Sequence, residues 1–417
     1  MSLKNQKSQL VIIFVTVFIY LLGFGIIIPL MPILSRDFGA TSTQVGMLMA
    51  IFSLMQFLFS PFWGRLSDKF GRRPILLICL LGEGLAYVLF ASARTLEMLF
   101  VARALAGFFG ASLATASAYI SDVTAEDSRS KGMALIGAAF GLGFVFGPAL
   151  GGLLAYWGHQ INPAPYYDTS FSSLWVAGIC FVNFVFGFKY LKESLVHVHD
   201  QGSVKEKLSF HQQHRSGRLK LLMSKLKMQT VGPLMFIYFL LSFAMAAMEA
   251  CLILFMADYY KWGVQQTSLG FAFIGVMMVL TQGFLVRKVI PRYGERKVLL
   301  AGVFVFAFGM SGLVWSPDLT TLAITISLLS IGIGLSNPSI LGSVSLLTPS
   351  DQQGVTMGVT QSLSSLGRIV GPVIGGALYK LQPVAPFVTS TALALIAGSV
   401  VIIIFSQIPV AGKTVKG

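Results

Sequence analysis

Charge is scarce in this chain. Asp, Glu, Lys and Arg make up 11% of its 417 residues, against about 25% in soluble domains, too little to cover a water-soluble fold of this length. Cysteine is scarcer. Cys79, Cys180 and Cys251 all fall in apolar stretches, without paired or metal-ligand spacing, which excludes a disulfide framework and leaves them as small core hydrophobes. No nucleophile and base are arranged together. Gly412-Lys413-Thr414 lacks the earlier glycine of a phosphate loop, since Gln407 stands in its place. His197, His199, His211 and His214 share one polar stretch with no cysteine or carboxylate frame. No metal, cofactor or enzymatic reaction is expected.

What is abundant is apolar: 55% of the residues are hydrophobic. A crossing of the hydrocarbon core takes about 20 mostly apolar residues, and twelve such stretches lie between polar breaks. They are 9–34, 43–63, 74–93, 97–120, 130–156, 173–191, 231–258, 266–287, 297–315, 319–343, 353–380 and 384–408, called spans 1 to 12. The leader from Met1 to Ser8 has no signal-cleavage pattern, so span 1 is expected to be retained.

The formal charge of +14 would suit a nucleic-acid binder, but its distribution argues otherwise. An even number of spans puts both termini on one side. That side carries 24 of the 30 Lys and Arg, the other side has Arg36, Arg94, Lys261 and Lys380, and Arg103 and Arg368 lie within spans. The positive-inside rule makes the rich side cytoplasmic. The basicity is thus an orientation signal, with anionic lipid as the expected partner and nucleic acid excluded.

The longest polar interruption separates six spans from six, dividing the chain into 1–191, a basic linker 192–230, and 231–417. Near the linker's end Leu219, Leu222, Met223 and Leu226 recur at helical spacing among lysines. Two readings fit: an amphipathic helix on the inner membrane surface, or a solvated connection. The halves repeat. At an offset of 224, Thr124, Asp127, Met133, Gly143, Gly147, Pro148, Gly151 and Gly152 match Thr348, Asp351, Met357, Gly367, Gly371, Pro372, Gly375 and Gly376. A weaker echo, near offset 219, links the stretch from Gly64 to Pro74 with that from Gly283 to Val298. Duplicated halves with a site between them at mid-depth are a transporter construction.

The loop after span 2 reads Gly64-Arg65-Leu66-Ser67-Asp68-Lys69-Phe70-Gly71-Arg72-Arg73-Pro74. Gly64 and Gly71 are expected to permit a tight turn, Pro74 suits a first helical turn, and Asp68 can pair with Arg72. This loop resembles the signature of the major facilitator superfamily. The resemblance implies a latch between the halves on the cytoplasmic side, made by Gly64, Asp68, Gly71, Arg72 and Arg73 with Asp122 as acidic partner; a topology signal alone would use the same basic residues. In span 5, Gly147, Pro148, Gly151 and Gly152 belong to GPALGG, with Gly143 one turn earlier; the segment resembles the antiporter motif of drug exporters and implies export. The glycine density calls for close helix packing. Gly23, Gly25, Pro29 and Pro32 resemble the first-helix motif of the same twelve-helix exporters.

Charges inside spans are costly, about 2.5 to 3.5 kcal/mol for an arginine at the centre, so they mark protein-facing or water-facing positions. Arg103 resembles the span 4 arginine of drug:proton antiporters, which implies a part in proton coupling; a structural pairing is the alternative. Glu83 and Glu249 are the only acids well inside spans. A carboxyl in an apolar site holds its proton to higher pH, so both are candidate proton carriers, and either could instead pair with Arg103 or Arg368. Glu249 resembles the span 7 glutamate of some multidrug exporters and Glu83 the span 3 acid of tetracycline exporters. Tetracycline exporters carry an acid in span 1 where this chain has Tyr20, a departure that argues against tetracycline as the solute. Tyr20, Phe24 and Ile27 share a face of span 1, and Met245, Glu249, Leu252 and Met256 a face of span 7. Tyr20, Phe24, Met245, Glu249 and Arg368 are therefore the expected cavity wall; lipid-facing or packing roles would produce the same stripes.

Together these features describe an all-α integral membrane protein of the major facilitator fold, with twelve transmembrane helices in two pseudo-symmetric six-helix bundles. The expected activity is proton-driven export of small amphiphilic or hydrophobic compounds, cationic or neutral, by alternating access in the cell (inner) membrane, with both termini cytoplasmic. A monomer suffices. A proton symporter or facilitator for a metabolite is the rival on the same fold, and a non-transporting membrane protein the rival from another class.

Overall fold

The computed structural model describes residues 3–124, 129–194, 230–348 and 353–408. The helical pattern expected at Leu219 to Leu226, the four linker histidines and Gly412-Lys413-Thr414 lie outside the described residues. The described chain is helical from end to end. Span 1 is Leu3–Asp37, span 2 Ser42–Phe70, span 3 Arg72–Ala91, span 5 Arg129–Ile161, span 6 Pro165–Tyr190 and span 7 Val231–Tyr259. Span 10 is Leu319–Leu346, span 11 Gln353–Leu381 and span 12 Ala385–Ile403.

Two crossings are more irregular than the apolar pattern implies. Span 4 breaks into Leu96–Gly110 and Leu113–Val123. Span 8 begins as Val264–Leu280, passes through a π turn at Thr281–Leu285 and runs into Val286–Val314. Gly294 interrupts that last helix with φ 77° and ψ 157°, and the chain turns there into span 9. Gly71 has φ 103° and ψ 153° between spans 2 and 3, so the two glycines are counterparts at an offset of 223. This corrects the offset of 219 for that echo. Phe70 and Tyr293 precede the two glycines, each beneath the cation of the residue before it, Lys69 at 5.1 Å and Arg292 at 5.5 Å from the ring centre.

Ten helical runs among the described residues are long and apolar enough to cross a membrane. One of them, Val264–Val314, is 51 residues long and contains two crossings, and Gln353–Leu381 completes the twelve. That helix is less apolar than the others because Thr356, Thr360, Gln361, Ser364, Ser365 and Arg368 occupy it. Outward faces elsewhere present Phe308, Phe284 and Ile403 largely exposed, as a lipid boundary requires.

Repeated glycines bring the helices together. In the first half, a Cβ on Gly147 would stand 2.7 Å from Gly25 Cα, and one on Gly151 2.7 Å from the Ile26 carbonyl oxygen, so span 5 lies backbone to backbone on span 1. In the second half, Gly371 meets the Phe243 carbonyl at 2.5 Å and Gly375 meets Ala247, laying span 11 on span 7. The final glycine of each motif does something different. Gly152 faces Ser268 of span 8, and Gly376 faces the Ser42 carbonyl of span 2, each in the opposite half.

Candidate functional site

The seam between the halves is closed on the side away from the termini. Gly46 of span 2 abuts the carbonyl of Pro372, and Gly275 of span 8 lies against the Phe144 and Val145 backbone. At the mouth, Arg36 of span 1 grips Asp258 of span 7 with both guanidinium nitrogens, Nη2 to Oδ2 at 2.9 Å. The Tyr379 hydroxyl of span 11 donates to the same Oδ2 at 2.8 Å. None of these three residues figures in the sequence motifs. Both members of the ion pair are partly exposed, 30% and 45%, so the pair contributes about 1 kcal/mol, the upper end for exposed pairs given its bidentate geometry. Arg36→Ala is expected to raise the fraction of molecules open on this side about fivefold. Fluorescence transfer between labels at Thr41 and Leu381 measures it, and an unchanged distance distribution would exclude the lock. On the terminal side a Cβ at Gly64 or Gly358 would meet nothing within 4 Å. There Gln361 is exposed midway along a membrane helix, which a water-filled vestibule accommodates and hydrocarbon does not.

Between the closed mouth and this vestibule lies a cavity of about 100 Å³, lined by spans 1, 2, 4, 5, 7 and 11. Tyr20 and Phe24 line it together with Glu249 and Arg368. Met245 does not. Helical pitch turns it away, so that Ala246 and Glu249 present the cavity face while Met245 packs against the core of the second half. Leu252, Met256 and Ile27 are likewise buried in the core. Sequence reading missed Gln56, whose amide donates to the Tyr20 hydroxyl and to the Gly110 carbonyl, both at 3.1 Å. Tyr20 donates to the same carbonyl at 3.2 Å. The Gly110 carbonyl lies at the break in span 4, where a helix end leaves acceptors without intrahelical partners.

Arg103 also lines the cavity and is 3% exposed. Its guanidinium carbon lies 4.6 Å from the Phe52 ring centre and 5.9 Å from that of Phe24, close enough for cation–π attraction. Its Nε and Nη1, like Arg368 Nε, are buried without hydrogen-bond partners. No carboxylate approaches either arginine within 4 Å among the described residues, so the pairings considered for Arg103 and for Glu249 with Arg368 are not formed in this conformation. Glu83 is 1% exposed and lies behind the wall, where the Tyr87 hydroxyl reaches its Oε1 at 3.5 Å. Among the described residues, Glu249 is the only acid lining the cavity.

The signature loop forms a separate cluster on the terminal side. Arg72 pairs with Asp68 at 2.6 Å and with Asp122 at 3.1 Å, and donates to Ser67 Oγ at 2.7 Å. Glu193, absent from the motif, accepts the backbone N–H of Arg72 at 2.8 Å and of Arg73 at 3.1 Å, capping the positive end of span 3. Gly71 makes the turn that was expected, but Gly64 does not: it sits inside span 2, which continues to Phe70. These contacts join the first half to the start of the linker, and none of them reaches the second half. Arg72→Ala would remove a largely buried guanidinium together with its bonds to Asp122 and Ser67 and is expected to cost about 2 kcal/mol, read as a melting temperature lower by several degrees. Lysine should rescue it poorly because it lacks the planar fork.

Two duplicated helical halves closing around a buried cavity that holds charged side chains at mid-depth define a membrane transporter. The model of the Major Facilitator Superfamily matches residues 13–291 and again 234–417, and the chain belongs to that family. It is 32% identical over 389 residues to the class C tetracycline resistance protein of Escherichia coli, covering 90% of each chain. It is 30% identical to multidrug resistance protein 2 of Bacillus subtilis, covering 93% of this chain and 92% of the relative. Among solved structures, a bacterial homologue of the human lysosomal transporter Spinster, inward-facing and occupied, superposes with a TM-score of 0.76 over 98% of both chains at 14% identity.

Proposed function

We propose that this chain exports small amphiphilic compounds across the cell (inner) membrane in exchange for protons, working as a monomer with both termini cytoplasmic. The observation that carries the reading is Glu249, the one carboxyl among the described residues that line an otherwise aromatic and cationic cavity at the seam between the halves. The similarity to tetracycline and multidrug resistance proteins supports the direction of transport. In the form described here the solute enters from the cytoplasmic vestibule and displaces the proton held by Glu249. The glycine seam and the Arg36–Asp258 contact then part, the solute leaves, and a proton from outside reloads the carboxyl before the halves close again. Arg103 and Arg368 set the cavity's potential. Glu83, off the cavity, serves as a distant counter-charge to Arg103 rather than as carrier, and the Arg72 cluster latches the cytoplasmic side when the outer side opens.

The test is internal pH in proteoliposomes under an imposed proton gradient as amphiphiles are added. Solute-triggered proton movement opposite to solute flux is the expected result. Movement in the same direction would identify a symporter, and solute flux with none a facilitator.

A further inference from the structure

We propose that Gln56 and Tyr20 link the cavity to the Arg72 cluster through the break in span 4. By holding the Gly110 carbonyl they keep the span bent. A solute that takes up either donor lets it straighten, which shifts the short helix carrying Asp122. The inference rests on the transport reading above for what releases the bend, and adds the route between cavity and cluster. In an unbroken helix the Gly110 carbonyl would accept the N–H of Ala114. Here Ala114 donates to the Ala111 carbonyl at 3.4 Å, and Ser112 to that of Phe109 at 3.1 Å, a tightened turn of the kind that marks hinges. The freed carbonyl takes the Gln56 amide at 3.1 Å and the Tyr20 hydroxyl at 3.2 Å, and side chains inserted into the ladder kink a helix. Glycine is needed at this point, since a Cβ on Gly110 would stand 2.8 Å from the Tyr20 hydroxyl oxygen. Both donors line the cavity, so whatever occupies it competes for them.

Beyond the break, Leu113–Val123 is a lever. No side-chain cap holds its start at Ser112, and Thr115 Oγ1 in its first turn is buried without a partner. A helix of 11 residues is too short to be stable by itself, so the contacts at its two ends set its direction. The far end is gripped. The Tyr119 hydroxyl reaches Gln9 Oε1 at 2.7 Å and the Lys192 carbonyl at 2.9 Å, and Asp122 Oδ2 accepts from Arg72 Nε and Ser194 Oγ, both at 3.1 Å. Such a helix spans roughly 16 Å, so a tilt of about 10° at the break moves its last turn by about 3 Å, enough to part bonds of this length. Arg103 lies on the other arm, Leu96–Gly110, and the bend therefore sets the angle between the cavity's arginine and the cluster's aspartate. If the two bonds did no more than satisfy a helix-end carbonyl, their loss would be felt at the break alone.

The experiment compares the full chain in detergent with Tyr20→Phe, Gln56→Leu and the double variant, with neither solute nor proton gradient present. Hydrogen exchange is read on the amides of residues 111–118. Straightening returns the Ala114 N–H to the Gly110 carbonyl, so exchange there should slow about tenfold in the double variant, the effect of roughly one added hydrogen bond. Each single variant should fall in between. A purely structural loss gives the reverse, faster exchange. Melting temperatures then test the far end. Arg72→Ala, expected to lower the wild type by several degrees, should have about half that effect or less in the double variant, because Asp122 has already moved away; independent sites would give additive shifts. Unchanged or faster exchange, or additive shifts, would overturn the proposal. In proteoliposomes the double variant should move protons on addition of solute at least about tenfold more slowly than wild type, and undiminished movement would overturn it as well. Should the wild type itself show no solute-linked proton movement, the exchange reading fails, while the two solute-free measurements still decide whether the break is a lever.

Discussion

Gly46→Val is expected to reduce transport at least about 100-fold while the protein still folds. Gly46 lies on span 2 against span 11, and a Cβ there would collide with the Pro372 carbonyl and stand 3.3 Å from Val373 Cα. Both are backbone atoms and cannot swing aside as a side-chain end would. The clash exists only when the two halves meet on the outer side, so the substitution penalises that one form and leaves each bundle as it was. A hundredfold loss needs about 3 kcal/mol at 1.4 kcal/mol per decade, the upper end of what overpacking costs. The trapped form should expose the seam, so a cysteine at Thr43 should react faster with an impermeant maleimide from outside. The control is Gly147→Val, whose Cβ would stand 2.7 Å from Gly25 within one bundle. It should lower the yield of folded protein rather than shift labelling. Normal transport by Gly46→Val would exclude the glycine seam as a moving contact.

The contrast between those two glycines bears on what the sequence could disclose. The repeat at offset 224 was legible because three glycines of each motif serve one purpose, helix contact within a bundle, and the motif stayed intact in both halves. That Gly152 and Gly376 reach across to the other half was not legible, since nothing in the pattern distinguishes the last glycine from its neighbours. Asp68 and Asp122 could be assigned to Arg72 through the family loop. Glu193 could not, because it lies 121 residues from the N–H it caps and only the fold brings it there. Met245 was misplaced because each residue rotates a helix by 100°, and an apolar stripe is wide enough to hide one step of error. Gly64 was read as a turn residue because glycine marks turns more often than it fills helices, whereas here it occupies a helical face open to the vestibule. The break in span 4 left no trace, as its carbonyl is satisfied from Tyr20 and Gln56, on two other helices.

Glu249→Gln is expected to remove solute-triggered proton movement entirely, to the background of protein-free vesicles, while downhill solute flux persists at a reduced rate. The amide keeps the size of the carboxyl but has no proton to exchange. Exchange therefore loses its titrating group, and the halves can rock whether or not a proton has crossed. Glu83→Gln provides the comparison. Glu83 is buried off the cavity beside Tyr87, so a solute cannot touch it, and its replacement should leave the ratio of protons to solute unchanged even if the melting temperature moves. The two variants thus separate a carrier from a counter-charge by stoichiometry rather than by rate, which a merely misfolded protein cannot imitate. Should Glu249→Gln retain wild-type coupling and Glu83→Gln lose it, the proton path would have to run through spans 3 and 4 behind the wall. Arg103, whose guanidinium lines the cavity, would then be the group connecting that path to the solute.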